Sequence, residues 1–192
     1  MTEFVLATAN TDKAREIVAI LGDSIAILPR PADVSEVEET GDTLLDNARL
    51  KARALVEATG VPAIADDTGL EVEALAGSPG VNSSRFAGPH ATYADNVRKL
   101  LEDLTHVPEP RRARFRTVAV ALWPDGREQV SEGCVDGCIA TAPAGNAGFG
   151  YDPVFIPDGG CGRTYAQMSP GEKNEFSHRG AAFRALRLLL GT

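Results

Sequence analysis

Cysteine, positive charge and long apolar runs are all in short supply. The three cysteines, Cys134, Cys138 and Cys161, are an odd number, and the C-x-x-x-C step from Cys134 to Cys138 is not a usual zinc spacing. A disulfide framework and a zinc ribbon are thereby excluded, and free thiols of a reducing compartment are expected. Lysine and arginine number 19 against 27 aspartates and glutamates, for a net charge of −8. A protein that wraps nucleic acid needs a basic surface to displace counterions, so nucleic acid is not an expected partner. Any anionic ligand has to be met by a local group of cations. No apolar run approaches the roughly 20 residues of a membrane-spanning helix, so no membrane partner is expected. Met1-Thr2-Glu3 runs straight into Phe4-Val5-Leu6-Ala7, without the basic lead or long apolar stretch of a signal peptide, which predicts a cytoplasmic protein.

What remains is an ordinary globular composition, 43% hydrophobic and 24% charged over 192 residues, enough for one domain spanning 1–192. Strand and helix signals alternate along it. Phe4 to Ala7 reads as a buried strand. Lys13 to Leu21 has helical spacing, with Gly22 as its stop. Ile25 to Leu28 is a second strand, and the acidic stretch from Asp33 to Asp42 is a loop. Leu44, Leu45, Ala48, Leu55 and Val56 share a helical face, capped by Asp42 or Thr43 and ended by Gly60. After a Gly, Ser and Pro-rich loop over 76–90, Thr92 caps a helix to Leu104. Phe115 to Leu122 and Glu128 to Cys134 flank Pro124-Asp125-Gly126 and predict an antiparallel hairpin, hence a mixed sheet. Val154-Phe155-Ile156 is a further apolar stretch. A last helix from about Arg179 to Leu190 is expected to bury Ala182, Leu186, Leu189 and Leu190.

The segment richest in chemistry is Ile64-Ala65-Asp66-Asp67-Thr68-Gly69-Leu70, where an apolar run meets two adjacent carboxylates and then Thr-Gly. It reads as a buried strand delivering acids to a tight turn at a strand end, where α/β folds bind ligands. Paired carboxylates there suit a hard divalent cation. An acidic turn would use the same residues. Thr8, Ala9, Asn10, Thr11, Asp12 and Lys13 lie between a strand and a helix, where backbone N–H groups and the Lys13 charge favour an anion. As an isolated pattern, plain helix capping is the commoner account of such residues. Glu38-Glu39-Thr40-Gly41 matters only if the fold brings Glu39 to the acids. Gly148, Phe149, Gly150, Tyr151 and Asp152 place aromatics among flexible glycines, fit either to stack on a nucleobase or to form a turn over the core. Lys173 with Ser177, His178 and Arg179 stands near the start of the final helix, where Ser177 can cap and His178 and Arg179 are directed outward as donors, or simply form the polar first turn of a surface helix.

Taken in order, these segments resemble the inosine/xanthosine triphosphate pyrophosphatases over nearly the whole chain. TANTDK at 8–13 is similar to that family's phosphate loop, EETG at 38–41 to its acidic loop and IADDTGL at 64–70 to its signature. GFGYDP at 148–153, EKN at 172–174 and SHRG at 177–180 follow in the same order. Ala9 stands where the family often has Gly, and Thr68 where Ser is common. The resemblance implies an α/β fold with an elongated central mixed sheet flanked by helices, two lobes around a nucleotide cleft, and a homodimer. It also implies Mg2+ and release of pyrophosphate from a purine nucleoside triphosphate.

On that footing Glu39 with Asp66 or Asp67 holds the metal, and Asp67 orients and deprotonates the water that attacks the α-phosphorus. Lys13, Lys51 and Lys173 contact phosphates, with backbone at 8–12 and the Thr68 hydroxyl. His178 and Arg179 donate to the 6-oxo group that hypoxanthine and xanthine carry and adenine lacks, a mismatch able to discriminate by about 10⁴. Phe149 or Tyr151 packs on the base. A septum-formation-inhibitor type pyrophosphatase is a rival that TANTDK and SHRG argue against. A binding module without turnover is a second, and the full set of Lys13, Glu39, Asp66 and Asp67 argues against it.

Overall fold

Short apolar stretches and amphipathic ones alternate, and each becomes a strand or a helix in turn. In the computed structural model, which describes residues 3–191, the order is β1 (Glu3–Leu6), α1 (Thr11–Leu21), β2 (Ala26–Leu28), α2 (Leu44–Thr59), β3 (Ala63–Val72) and β4 (Pro79–Gly80). Then come α3 (Tyr93–Asp103), β5 (Arg112–Leu122), β6 (Glu128–Ile139), β7 (Phe155–Pro157), α4 (Pro170–Phe176) and α5 (His178–Leu189). The caps are those the residue types dictate. Thr43 Oγ1 accepts from Asp46 N–H at the start of α2, and Gly60 ends that helix in the left-handed region at φ 69°. Thr92 and Asp95 form a reciprocal capping box on α3.

The sheet runs β2-β1-β3-β5-β6-β7, with β4 paired to β3. It is mixed, as expected. β1 is parallel to both β2 and β3, while β3–β4 and β6–β7 are antiparallel. β5 and β6 are neighbours joined only by the turn from Trp123 to Arg127, where Trp123 N–H donates to the Arg127 carbonyl at 2.9 Å. So short a link permits only antiparallel pairing. At β1 the chain reverses its direction of winding, since β2 lies to one side and β3 to the other. Such a switch point leaves a crevice beyond the carboxyl ends of the strands.

The chain folds as two units, Met1–Asp67 with Thr117–Gly133 and His178–Thr192, and Thr68–Arg116 with Cys134–Ser177. In the first, Phe4, Leu6, Ile17, Leu21, Ile64 and Phe183 build the core between strands and α1 and α5. In the second, Leu70, Val72, Leu100, Phe115, Phe155 and Tyr165 do so around α3.

Three expectations need correction. First, β3 does not stop at the acids but passes through Asp66 and Asp67 to Val72. Leu70 and Val72 are fully buried, Leu70 pairs with Gly80, and its N–H donates to Ser83 Oγ at 2.8 Å, so Thr68-Gly69 continues a strand instead of turning. Second, an extra helix, α4, precedes the last one, started by a Ser169–Glu172 capping box with Pro170 in its first turn. Third, Leu189 is 49% exposed, so the buried face of α5 ends at Leu186, with Leu190 only partly covered. Leu186→Ala should accordingly cost about 2–5 kcal/mol and Leu189→Ala less than about 0.5 kcal/mol, as read from urea unfolding midpoints.

Candidate functional site

In the first unit the pairing of β1 with β3 ends at Leu6 and Ile64, so Asp66 and Asp67 lie beyond the end of their neighbouring strand. Both are buried. Successive residues of a strand point to opposite faces, and the two carboxylates therefore meet different elements.

Asp66 faces α1 and α5. Its Oδ2 lies 3.4 Å from Lys13 Nζ and 3.5 Å from both Nε and Nη2 of Arg179. The same guanidinium reaches Glu16 Oε2 at 2.6 Å. Burial alone pushes the Asp66 carboxyl up, but Lys13, Arg179 and Lys51 outweigh it and hold the group well below the usual carboxylate range.

Asp67 faces α2. Its Oδ1 lies 2.8 Å from Lys51 Nζ, and its Oδ2 accepts from Asn47 Nδ2 at 3.3 Å. Lys51 Nζ also lies 2.8 Å from Glu39 Oε1, so the fold does bring the acidic loop to the acids. Burial pushes the Asp67 carboxyl up; Lys51 and Lys13 pull it down, Glu39 adds to the rise, and the net position is above the ordinary value. Among the described residues no three side chains of the His, Cys, Asp and Glu types gather as a metal-ligand set. Glu39 and Asp67 converge on Lys51 instead.

The loop after β1 shows the helix capping that its residues predict. Asn10 Oδ1 accepts from Asp12 N–H at 2.9 Å and Lys13 N–H at 3.1 Å, and Thr8 Oγ1 accepts from Asn10 N–H at 3.2 Å. The Asp12 and Lys13 N–H groups are therefore taken by the cap and Asn10 N–H by Thr8, while the Lys13 charge and the positive end of α1 still favour an anion. Asp12 commits its carboxylate to Arg15 at 3.0 Å, while Ala9 and Thr11 are exposed.

His178 and Arg179 are not directed outward: both are buried, at 3% and 2% exposure. The cause is Gly133 on β6, where a Cβ would lie 2.1 Å from the His178 carbonyl oxygen and 2.4 Å from Ala182 N. Lacking it, β6 presses against the start of α5, and Ser131 Oγ donates to the Ala182 carbonyl at 2.8 Å. The His178 ring is gripped at Nδ1 by Thr117 Oγ1, 2.7 Å away.

In the second unit, Asp152 Oδ2 binds Lys173 Nζ and accepts from Phe149 N–H at 2.7 Å. Lys173, buried in α4, sits 4.6 Å over the Phe149 ring, and Tyr93 flanks that ring at 5.9 Å. Gly148 (φ 73°) could carry no side chain, since a Cβ would fall 2.0 Å from Asp152 Oδ2. Gly150 also has a positive φ, 62°. Tyr151 is not a stacking surface: it belongs to the core, and its hydroxyl donates to the Ser83 carbonyl at 2.9 Å. Phe149 is half-buried. Thr68 opens this unit, following Asp67 in β3.

Three polar groups of this architecture were outside the sequence reading. Asn47 stands four residues before Lys51, the spacing that shares a helix face. Glu16 stands three residues after Lys13, the other spacing that shares a helix face. Thr117 shows itself only as a hydroxyl entering the apolar stretch Val118-Ala119-Val120-Ala121.

A family model described as the Ham1 family matches residues 4–188. A dITP/XTP pyrophosphatase of Streptomyces coelicolor is 47% identical over 203 residues, covering 100% of both chains. One from Thermus thermophilus is 48% identical, over 95% of this chain and 88% of its own. Among solved structures, a HAM1 protein from Coxiella burnetii superposes with a TM-score of 0.90 at 41% identity, covering 100% of this chain and 99% of that one. The Staphylococcus aureus Ham1 protein gives 0.87 at 37%, over 99% and 98%.

The Asp66 cluster predicts a pH signature. A carboxyl held low in the folded state stabilises the fold above its unfolded value near pH 4, and that stabilisation is lost as pH falls toward the folded value. Asp66→Asn should be less stable at pH 7 by about 3–5 kcal/mol, because Lys13 and Arg179 lose their buried counter-charge. The gap to wild type should narrow on acidification below about pH 4, measured by urea unfolding across pH; a constant gap would remove Asp66 from this role.

Proposed function

Because the chain belongs to the Ham1 family, we propose that its two buried carboxylates and their lysines work on a triphosphate. The protein is an enzyme that hydrolyses non-standard purine nucleoside triphosphates, dITP, XTP and ITP, to the monophosphate and pyrophosphate. The observation that carries the mechanism is the division of Asp66 and Asp67 between opposite faces, each with its own lysine.

The proposed cofactor is Mg2+, held by Glu39 and Asp67. Two carboxylates already converge on one cationic nitrogen at 2.8 Å each. Such oxygen donors suit that hard cation. When bound, it neutralises phosphate charge and polarises the P–O bonds under attack.

The chain's own residues do the rest. Lys13 and Lys51 turn from their carboxylates toward phosphate oxygens. Asp67 orients a water and takes its proton as the oxygen bonds to the α-phosphorus. The bond from the α-phosphorus to the bridging oxygen breaks on the opposite side, and pyrophosphate leaves with that electron pair. Asp66, pinned by Arg179 and Lys13, sets the position of Lys13 instead of joining the metal. For the base, His178 is the donor to the 6-oxo group, its ring fixed by Thr117. Arg179 is spent on Glu16 and Asp66. Phe149 is proposed to pack on the base, held by Asp152 and Lys173. Thr8 and Thr68 hydroxyls are further phosphate contacts.

We further propose one functional domain, working as a homodimer in the cytoplasm. No disulfide joins Cys134, Cys138 and Cys161, which fits a reducing compartment. Among the described residues no helix is long and apolar enough to cross a membrane.

Purified protein with Mg2+ and a panel of ITP, XTP, dTTP, GTP and ATP should release monophosphate and pyrophosphate from ITP and XTP. Diphosphate and inorganic phosphate as products would contradict attack at the α-phosphorus. Asp67→Asn should bind ITP yet turn over about 10²–10⁴-fold more slowly; a wild-type rate would remove Asp67 from the chemistry.

A further inference from the structure

Asn47, fully buried on α2, touches two parts of the site at once. Its Oδ1 accepts from Gly41 N–H at 2.8 Å, at the end of the acidic loop that carries Glu39. Its Nδ2 donates to Asp67 Oδ2 at 3.3 Å. The reverse orientation of the amide fails on both sides: a backbone N–H cannot donate to an NH2 group, and a carboxylate cannot donate to a carbonyl. The two bonds thus fix each other's direction.

Gly41 is shaped for this contact. A Cβ there would lie 2.8 Å from Asn47 Oδ1, 2.7 Å from Asp46 Cβ and 3.0 Å from Asn47 N. Its φ lies outside the left-handed region, so the missing side chain serves close approach and not backbone freedom. Glu39 therefore reaches the site on a loop whose far end is fastened, through one amide, to the carboxylate it must work with. Lys51, one turn along the same helix, marks the point where the two acids meet.

We propose that Asn47 is a positioning residue that keeps Glu39 and Asp67 in register for a single divalent cation. It rests on the reading that these two acids hold Mg2+. Asn47 itself contacts neither phosphate nor metal; it acts by setting the separation and facing of two ligands. Partners that orient metal ligands change metal affinity by about 10–100-fold when removed.

The test uses the full chain with Asn47→Leu, which removes both hydrogen bonds at similar volume, and Gly41→Ala, which disturbs the same contact from the loop side. Mn2+ binding is measured by calorimetry without nucleotide, beside the Mg2+ dependence of ITP hydrolysis and KM for ITP at saturating Mg2+. Both variants should bind Mn2+ about ten-fold or more weakly and need correspondingly more Mg2+, with KM for ITP little changed. The double variant should be no worse than the stronger single one, because both break one linkage. Should Asn47→Leu fail to fold, Gly41→Ala carries the measurement. Unchanged Mn2+ affinity alongside a lower melting temperature would overturn the proposal and leave Asn47 a structural residue. Glu39→Gln separates the two levels: if it weakens Mn2+ binding and Asn47→Leu does not, only the role of Asn47 falls. If neither does, the metal reading falls with it.

Discussion

Two adjacent carboxylates buried in the middle of a strand are the constraint from which the first unit is built. An uncompensated buried carboxylate is too costly to remain charged, so each must be met by cations or donors. Because Asp66 and Asp67 face opposite sides of β3, the compensation has to come from both faces. Lys13 on α1 and Arg179 on α5 serve one, Lys51 and Asn47 on α2 the other. The elements that dock around β3 thus have charge partners to satisfy besides apolar faces to bury. Arg179, among the largest fully buried side chains, ties α5 to α1 through Glu16 as well as to the sheet.

The balance of that network also says what it can accept. Among the pairs described, Asp66, Asp67, Glu39 and Glu16 face Lys13, Lys51 and Arg179, so each cation already has a carboxylate to serve. A triphosphate would add several more negative charges and be repelled. Under the proposed mechanism a divalent cation brought with it would reverse the sign of the problem, because Glu39 and Asp67 would hold the cation and leave the lysines to phosphate oxygens. The overall charge of −8 is no obstacle on this account, because the anion is met only by these local groups.

The alternation of strands and helices was legible because each element carries its own period and cap: Asn10, Thr43, Thr92 and Gly60 all act where their residue types suggest. What escaped depends on distant residues. Asp-Asp-Thr-Gly looks like a turn locally, and only the burial of Leu70 and Val72 with pairing to Pro79 and Gly80 makes it strand. Ser-His-Arg reads as a polar surface turn until Gly133, far away in sequence, lets β6 close over it. Pro170-Gly171 disguises α4 as loop. The site itself was legible chiefly through the family likeness of its ordered motifs. Asn47 and Thr117 belong to none of them, and a lone Asn or Thr announces nothing until its partners are in view.

Exposure separates the cations into two kinds. The side chains of Lys13 and Lys51 retain 18% and 13% of their surface, whereas Lys173 and Arg179 retain 5% and 2%. A lysine has a flexible stem and three donors, so a partly open one can leave a carboxylate for a phosphate at small cost. A sealed one cannot leave without stranding a buried acid, a loss of several kcal/mol on the scale of about 3–5 for a broken buried pair. Lys173 stays with Asp152, and Arg179 with Glu16 and Asp66. The family motifs around Lys13, Lys173 and Arg179 therefore carry different duties under similar charges: under the proposed mechanism the open lysines exchange carboxylate for phosphate, while the sealed cations each hold their own carboxylates, and Lys173 the Phe149 ring, in place.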